Sequence, residues 1–278
     1  MNIMRARSLS ETEARVVLGL ESRGEDRITL DELRRSARVS DGFARKLAHN
    51  LVQKGWLQRI RPGTYLLNPS QRGPDAIPDT DPFRVGALLA APYYFGYATA
   101  AELLGLLPQA GRVYYVVAPV RSRRVRRGNA EFRLVHAPAR AIWGTRSIER
   151  RGVALVVSDP ERTVLDAVSR PELAGGIPGV ARILFAAKPE LNWDRMVRYL
   201  ARAHRPSLAH RIGFLASRVR PDFPIPPAVV RAFLPKGTES YAPLGPPKPY
   251  GRRGRYDREW RILDNVGSRR LLEEVRGG

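Results

Sequence analysis

The chain contains no cysteine. A disulfide framework and a thiolate metal site are therefore both excluded. Lysine is scarce as well. Of 48 basic side chains, five are lysines (Lys46, Lys54, Lys188, Lys236 and Lys248) and the rest are arginines. Long apolar runs are also missing. The longest, around 85–95, is broken by Gly86 and Pro92, and it falls short of the ~18 residues that a membrane span needs. The opening stretch, MNIMRARSLSETEARVV, lacks the apolar core of a secretory signal. These absences lead to the expectation of a cytoplasmic chain with no membrane partner. No internal repeat or heptad pattern is evident.

Positive charge is what the chain has in excess. The formal net charge is +21 over 278 residues, of which 43% are hydrophobic. That length and apolar content suffice for two domains with real cores. A field of this sign attracts polyanions, nucleic acid first, then acidic proteins and anionic membranes. Arginine, whose planar fork binds phosphate and guanine edges bidentately, suits the first of these. The excess is spread along the chain: net +5 in residues 1–70, +12 in 71–234 and +4 in 235–278.

Local signals divide the first segment into three helices and a hairpin. Ser10 and Glu13 form a capping-box pattern that starts a helix to about Ser22, and Thr29 with Glu32 repeats it for a helix to about Ala37. Ser40 caps a third helix, which runs to about Lys54 and stops at Gly55. Two strands, Trp56–Ile60 and Thr64–Leu67, flank the turn Arg61-Pro62-Gly63. Residues 71–81, rich in Pro, Gly and Asp, read as a linker.

Beyond the linker, Asp81-Pro82 opens a helix, and Thr99 with Glu102 gives a third capping-box pattern, for a helix through Leu107. Strand-like runs follow at Val113–Ala118, Glu131–His136 and Val153–Val157, then a helix from Asp159-Pro160 to about Ser169 and helices near 178–187, 192–203 and 208–219. One further strand is expected at Glu259–Leu263. The fold class expected is α+β (mixed α/β): a winged helix-turn-helix over 1–70, a linker over 71–81, and a domain over 82–278 with a sheet flanked by helices. The segment 235–257 of that domain is a basic, Gly/Pro-rich tail.

In a helix–turn–helix–wing unit the third helix enters the major groove. At about 100° per residue, Phe43, Ala44, Leu47 and Leu51 share one face, which is expected to pack on the first two helices. The opposite face carries Gly42, Arg45, Lys46, His49 and Gln53, with Asn50 at its edge. These are groups that reach base edges and phosphates. Ser40 and Gly42 would let backbone N–H groups approach a phosphate, and Arg59 and Arg61 lie beside the hairpin turn. The expected DNA contacts are therefore Ser40, Gly42, Arg45, Lys46, His49, Gln53, Arg59 and Arg61. Arg121, Arg123, Arg124, Arg126 and Arg127, read as a loop between strands, are candidates for contact with DNA or an acidic protein partner.

The stretch KGWLQRIRPGTYLLNP, Lys54–Pro69, resembles the start of AbiEi-type antitoxins, the abortive-infection regulators of bacterial toxin–antitoxin pairs. Thr99–Leu106 resembles that family's TAA-x-LHGL helix, with Leu104 where histidine is frequent. Val113–Arg127, DPERTVLD at Asp159–Asp166, Glu172–Gly176, AHRIGFL at Ala209–Leu215 and EWRILDN at Glu259–Asn265 continue the resemblance in order. It implies a winged-helix domain that represses the family's own operon. It also implies a second domain that shares in repression and neutralises a nucleotidyltransferase-fold toxin.

Enzymatic readings find little support in the string. None of the five lysines has an acidic residue two positions before it, as a PD-(D/E)xK nuclease requires. The lone D-x-D, Asp79-Thr80-Asp81, has no Gly-Ser upstream. Phosphate-binding glycine loops and a G-x-S-x-G elbow are absent, and no two histidines have metal-ligand spacing. Asp159, Glu161 and Asp166 read as an N-cap, a first-turn acid and the i,i+4 partner of Arg162 rather than as catalytic carboxylates. No catalytic residue, metal site or cofactor is expected. The alternatives kept open are a winged-helix protein-interaction scaffold and a DNA-processing enzyme.

Overall fold

The computed structural model describes residues 7–73, 81–108, 111–219, 225–235, 237 and 240–268, without the side chains of Arg72 and Val219. The chain is mixed α and β, as the element pattern implied. It divides into two compact units, Met1–Ala91 with Arg126–Ala130, and Pro92–Val125 with Glu131–Gly278. The division falls about ten residues beyond the linker expected at 71–81, because the helix opened by Asp81-Pro82 groups with the first unit. Most of that linker, together with Lys236 and the C-terminal segment from 269, lies outside the described residues.

In the first unit, α1 (Glu11–Ser22), α2 (Leu30–Ala37) and α3 (Asp41–Gln53) start where their caps require. Both capping boxes close in full: Ser10 with Glu13 and Thr29 with Glu32. Each satisfies two backbone donors that a helix start leaves unpaired. A short β1 (Arg27–Thr29), not foreseen, pairs with β3 (Thr64–Leu67), which pairs in turn with β2 (Leu57–Arg61), all antiparallel. The three-stranded order is β1-β3-β2. Gly63, at φ 72°, makes the β2–β3 turn, and its carbonyl accepts from Leu30 N–H at 2.9 Å. α4 (Pro82–Ala87) is capped by Asp81, with proline at its first position. The core gathers Val16, Val17, Leu20, Leu33, Leu47 and Leu51 with Trp56, Leu57 and Leu67 of the hairpin.

The second unit is built on a six-stranded sheet of order β6-β7-β5-β4-β9-β8, of which Arg126, Arg127 and Ala130 group with the first unit. Its strands are β4 (Tyr94–Phe95), β5 (Val113–Ala118), β6 (Arg123–Arg127), β7 (Ala130–His136), β8 (Thr145–Arg150) and β9 (Val153–Ser158). β5 runs parallel to β7 and β4 parallel to β9, whereas β4–β5 and β8–β9 are antiparallel. The helices of seven residues or more are α5 (Tyr97–Leu103), α6 (Pro160–Ser169), α7 (Gly176–Ala187), α8 (Trp193–Ala203), α9 (Pro206–Val219) and α10 (Pro227–Phe233). α6 is buried from Pro160 to Val168 and forms the centre of the helical layer. A small sheet of β10 (Ala242–Pro243), β12 (Ile262–Asp264) and β11 (Arg255–Asp257) closes the described chain.

Two expectations need correcting here. Thr99 does not cap a helix. α5 begins at Tyr97 behind Gly96, so Thr99 lies inside it, and its hydroxyl accepts from Tyr115 N–H at 2.8 Å instead. The last strand is Ile262–Asp264 rather than Glu259–Leu263, because Asp257 caps a turn by accepting from Trp260 N–H.

Candidate nucleic-acid interface

The outward face of α3 is where the expected contacts meet. Ala44, Leu47, Ala48 and Leu51 are its buried residues, one turn-spaced stripe at i, i+3, i+4 and i+7. Gly42, Arg45, Lys46, His49 and Gln53 are all exposed, and Asn50 is half-buried at the margin. The side chains of Arg45, Lys46, His49 and Gln53 make no ion pair or hydrogen bond among the described residues. A Cβ on Gly42 would meet nothing within 4 Å, so the backbone there is open to a partner. Ser40 is exposed too, but its hydroxyl is engaged as the N-cap, accepting from Phe43 N–H at 3.4 Å.

Phe43 was expected on the packed face and is instead 48% exposed. Ala48, fully buried, belongs to the packed stripe and swings its centre toward residue 44. Phe43 is then left about 90° away, at the stripe's edge. The exposed phenylalanine flanks Lys46 and lies about 160° around the helix from Arg45, a position that periodicity alone did not reveal.

A side-chain tie holds the end of α3 in place. Lys54, its C-cap residue, donates to the buried Glu13 carboxylate at 2.6 Å. Burial would push Glu13 up, yet hydrogen bonds from Lys54 and from Ser10 hold its carboxyl below the usual range. Next to it, Trp56 Nε1 donates to the Arg7 carbonyl at 3.1 Å while the Arg7 guanidinium lies 3.8 Å over the Trp56 ring.

In the hairpin, Arg59 is exposed and opposite Tyr65, and the register shifts between Arg59 and Arg61. Arg61 is half-buried, and its Nε is buried without an acceptor. The hairpin arginines are therefore unequal: Arg59 reaches outward, and Arg61 lies partly against the hairpin.

The arginine-rich segment is not a loop. Arg123–Arg127 forms β6, the edge strand of the six-stranded sheet, paired with β7. Arg121, Arg123, Arg124 and Arg126 are exposed. Arg124 comes within 3.5 Å of Glu131 on β7, and Arg127 Nε donates to the Ile60 carbonyl at 2.8 Å. Charge along an edge strand blocks edge-to-edge pairing with other chains, a local reason for the cluster that needs no ligand.

The carboxylates of DPERTVLD are fully engaged. Asp159 N-caps α6, accepting from Arg162 N–H at 2.8 Å, and its other oxygen accepts from Tyr199 OH at 2.6 Å. Tyr199 is pushed up to about 12, by burial first and then by that carboxylate. Glu161 is completely buried and accepts from Asn192 N–H at 2.6 Å and Arg195 at 3.2 Å, fastening α8 to α6. Sequence reasoning placed it in a first turn and missed this tie. Arg162 Nε donates to Asp166 at 2.8 Å and Nη2 to Tyr94 OH at 2.8 Å, while its Nη1 reaches the Ala141 and Trp143 carbonyls. Its guanidinium also lies 4.1 Å over the Trp143 ring. Burial pushes the Asp166 carboxyl up, against the pull of Arg162. These groups are a closed polar network inside a core. Among the described residues, no three His, Asp or Glu side chains gather as a metal ion would need.

No family model matches the chain, and no curated protein matches it. Among solved structures it is similar to the RV2827C protein from Mycobacterium tuberculosis, with a TM-score of 0.67 and 17% identity over 99% of this chain and 97% of that one. At that identity the likeness is one of fold, over the whole length of both chains. No helix among the described residues is long and apolar enough to cross a membrane.

Proposed function

We propose that the protein is a sequence-selective DNA-binding repressor whose first unit acts as a winged helix-turn-helix, with α3 as the reading helix and the β2–β3 hairpin as the wing. One observation carries the reading. Arg45, Lys46, His49 and Gln53 share an exposed face of α3 with no partner among the described residues, on a helix fastened to α1 by the Lys54–Glu13 pair. Side chains held ready at helical spacing are what base-edge and phosphate contacts in a major groove require. Arg45 and His49 lie one turn apart and reach the same stretch of groove. Phe43, near the helix start, suits contact with a thymine methyl group. The net charge of +21 supplies long-range attraction, and Arg59 with the exposed arginines of β6 adds phosphate contacts.

The resemblance to AbiEi-type antitoxins extends the proposal. The DNA is the chain's own operator, the compartment is the cytoplasm, and the second unit neutralises a nucleotidyltransferase-fold toxin. The closed network around Asp159, Glu161 and Asp166 favours this over a DNA-processing enzyme, since those carboxylates are spent on tying α6 to α8 and to Tyr94 of β4.

The test is a gel-shift titration of the full chain on DNA from upstream of its own gene against a scrambled duplex of equal length, across a salt series. Selective binding with a steep loss at high salt supports the proposal. Equal binding to both duplexes that vanishes with salt would reduce it to bulk charge and favour a protein-docking role for the α3 face.

A further inference from the structure

In the second unit, the ends of α8 and α9 meet α10 and the approach to β10 around a cleft of about 750 Å³, within the size range of small-molecule sites. Its walls are of two kinds. Val197, Leu200, Phe233 and Leu234 line an apolar side, and His204, Arg205, Ser207 and His210 line the other. No acidic side chain is among the described lining residues.

Two observations place positive potential at one end, and a third places a neutral hydrogen-bonding group beside it. The cleft holds the N-terminus of α9, a helix of 14 residues, with Arg205, Pro206 and Ser207 on its wall. A helix start carries partial positive charge; here Pro206 has no N–H and Leu208 N–H already donates to the Arg205 carbonyl at 3.0 Å, so the Ser207 N–H is the first-turn donor left to face the cleft. Arg205 is exposed, and the nearby Arg211 guanidinium, which donates to the Pro243 carbonyl at 2.9 Å, is held below its usual value by burial and then by Arg205, so two cations lie near one another here. His210 is the third, and burial holds its imidazole below the usual value, which favours the neutral ring. It is 7% exposed, lines the cleft, and its ring makes no hydrogen bond among the described residues. A buried imidazole with no partner is costly, and here its ring nitrogens retain access to the cleft.

We propose that this cleft binds a small amphipathic carboxylate, with its carboxyl group at the start of α9 between Arg205, Ser207 and His210 and its apolar body against Leu200, Phe233 and Leu234. The apolar wall argues against inorganic phosphate, whose four oxygens would face it unpaired. The cationic end argues against a neutral apolar molecule, which would leave His210 unsatisfied. Tyr241, also on the wall, accepts from Arg261 at 3.1 Å and keeps its own proton for a ligand oxygen. This site is independent of the α3 face, and neither proposal depends on the other.

The test is isothermal titration of the full chain with sodium octanoate, 1-octanol and, in a phosphate-free buffer, inorganic phosphate. Two variants accompany it. Arg205→Glu changes an exposed residue, and His210→Phe keeps the ring shape while removing its nitrogens and leaves no partner orphaned. The expected result is saturable octanoate binding, with octanol and phosphate each at least about tenfold weaker. Both variants should weaken octanoate by about tenfold, while thermal melts show them folded. Absence of octanoate binding, octanol or phosphate binding as tightly, or folded variants that bind octanoate unchanged would each overturn the proposal.

Discussion

Replacing Arg162 with methionine tests the network at the heart of the second unit. The substitution keeps much of the apolar stem and removes the guanidinium. Four hydrogen bonds go with it: those to Asp166 and Tyr94 at 2.8 Å, and those to the carbonyls of Ala141 and Trp143 at 3.3 and 3.2 Å. The side chains of Arg162 and Asp166 are 9% and 8% exposed, so no water shell waits to replace the missing partner. Breaking one side of a buried pair costs about 3–5 kcal/mol, because the other charge stays behind uncompensated. Asp166 has one escape, which is to take up a proton. Burial already pushes its carboxyl up, and without Arg162 it rises further. A neutral carboxyl tolerates burial, so the deficit of Arg162→Met should be largest at neutral pH and shrink as pH falls toward 5. Removing both charges in Arg162→Met/Asp166→Leu should restore about 2 kcal/mol or more relative to Arg162→Met. Urea denaturation followed by tryptophan fluorescence reads these changes, since the Trp143 ring lies against the guanidinium. A loss below about 1 kcal/mol, or a loss independent of pH, would refute the reasoning.

Three further outcomes follow from the same structure. Glu13, whose carboxyl lies below its usual range, contributes stability that is fully present above the ordinary carboxylate range and is lost as pH falls through its lowered value. Glu13→Gln should therefore flatten the acid limb of a melt measured from pH 7 to 3, and an unchanged limb would dismiss the Lys54 pairing as inert. Gly179→Ala would drive a Cβ into the Ala174 carbonyl, costing about 1–3 kcal/mol or more in urea melts; a neutral result would mean that the turn before α7 is looser than described. Exchanging Arg121, Arg123, Arg124 and Arg126 for serine should lower DNA affinity on all sequences alike. It should also reduce the log–log salt slope by about 0.9 for each phosphate that these arginines neutralise, whereas an unchanged slope would assign the β6 arginines to edge protection alone.

Local chemistry was legible in the sequence, and long-range pairing was not. Ser10–Glu13, Thr29–Glu32, Ser40, Asp81 and Asp159 each announced a helix start, because a cap is settled by atoms within four residues of one another. Thr99–Glu102 shows the same letters and no cap, since the backbone N–H of Tyr115, a strand residue, takes the hydroxyl. β6 has five residues, four of them arginine, and no alternation to mark it; it is a strand because β7 lies beside it. The α3 face was readable because its period is local. Phe43 was misplaced because one small buried residue, Ala48, shifts the centre of the packed stripe. The cleft at the start of α9 was not readable at all, since its walls come from segments between residues 197 and 242 that only the fold brings together.

The central claim is that the exposed face of α3 reads bases. Its most direct test is the affinity of Arg45→Ala relative to the unaltered protein on two duplexes, the upstream DNA and a scrambled one, at one fixed salt concentration. The expected loss is about 1–3 kcal/mol on the upstream DNA and little on the scrambled duplex, so that selectivity itself falls. Equal losses on both duplexes, or none on either, would contradict it.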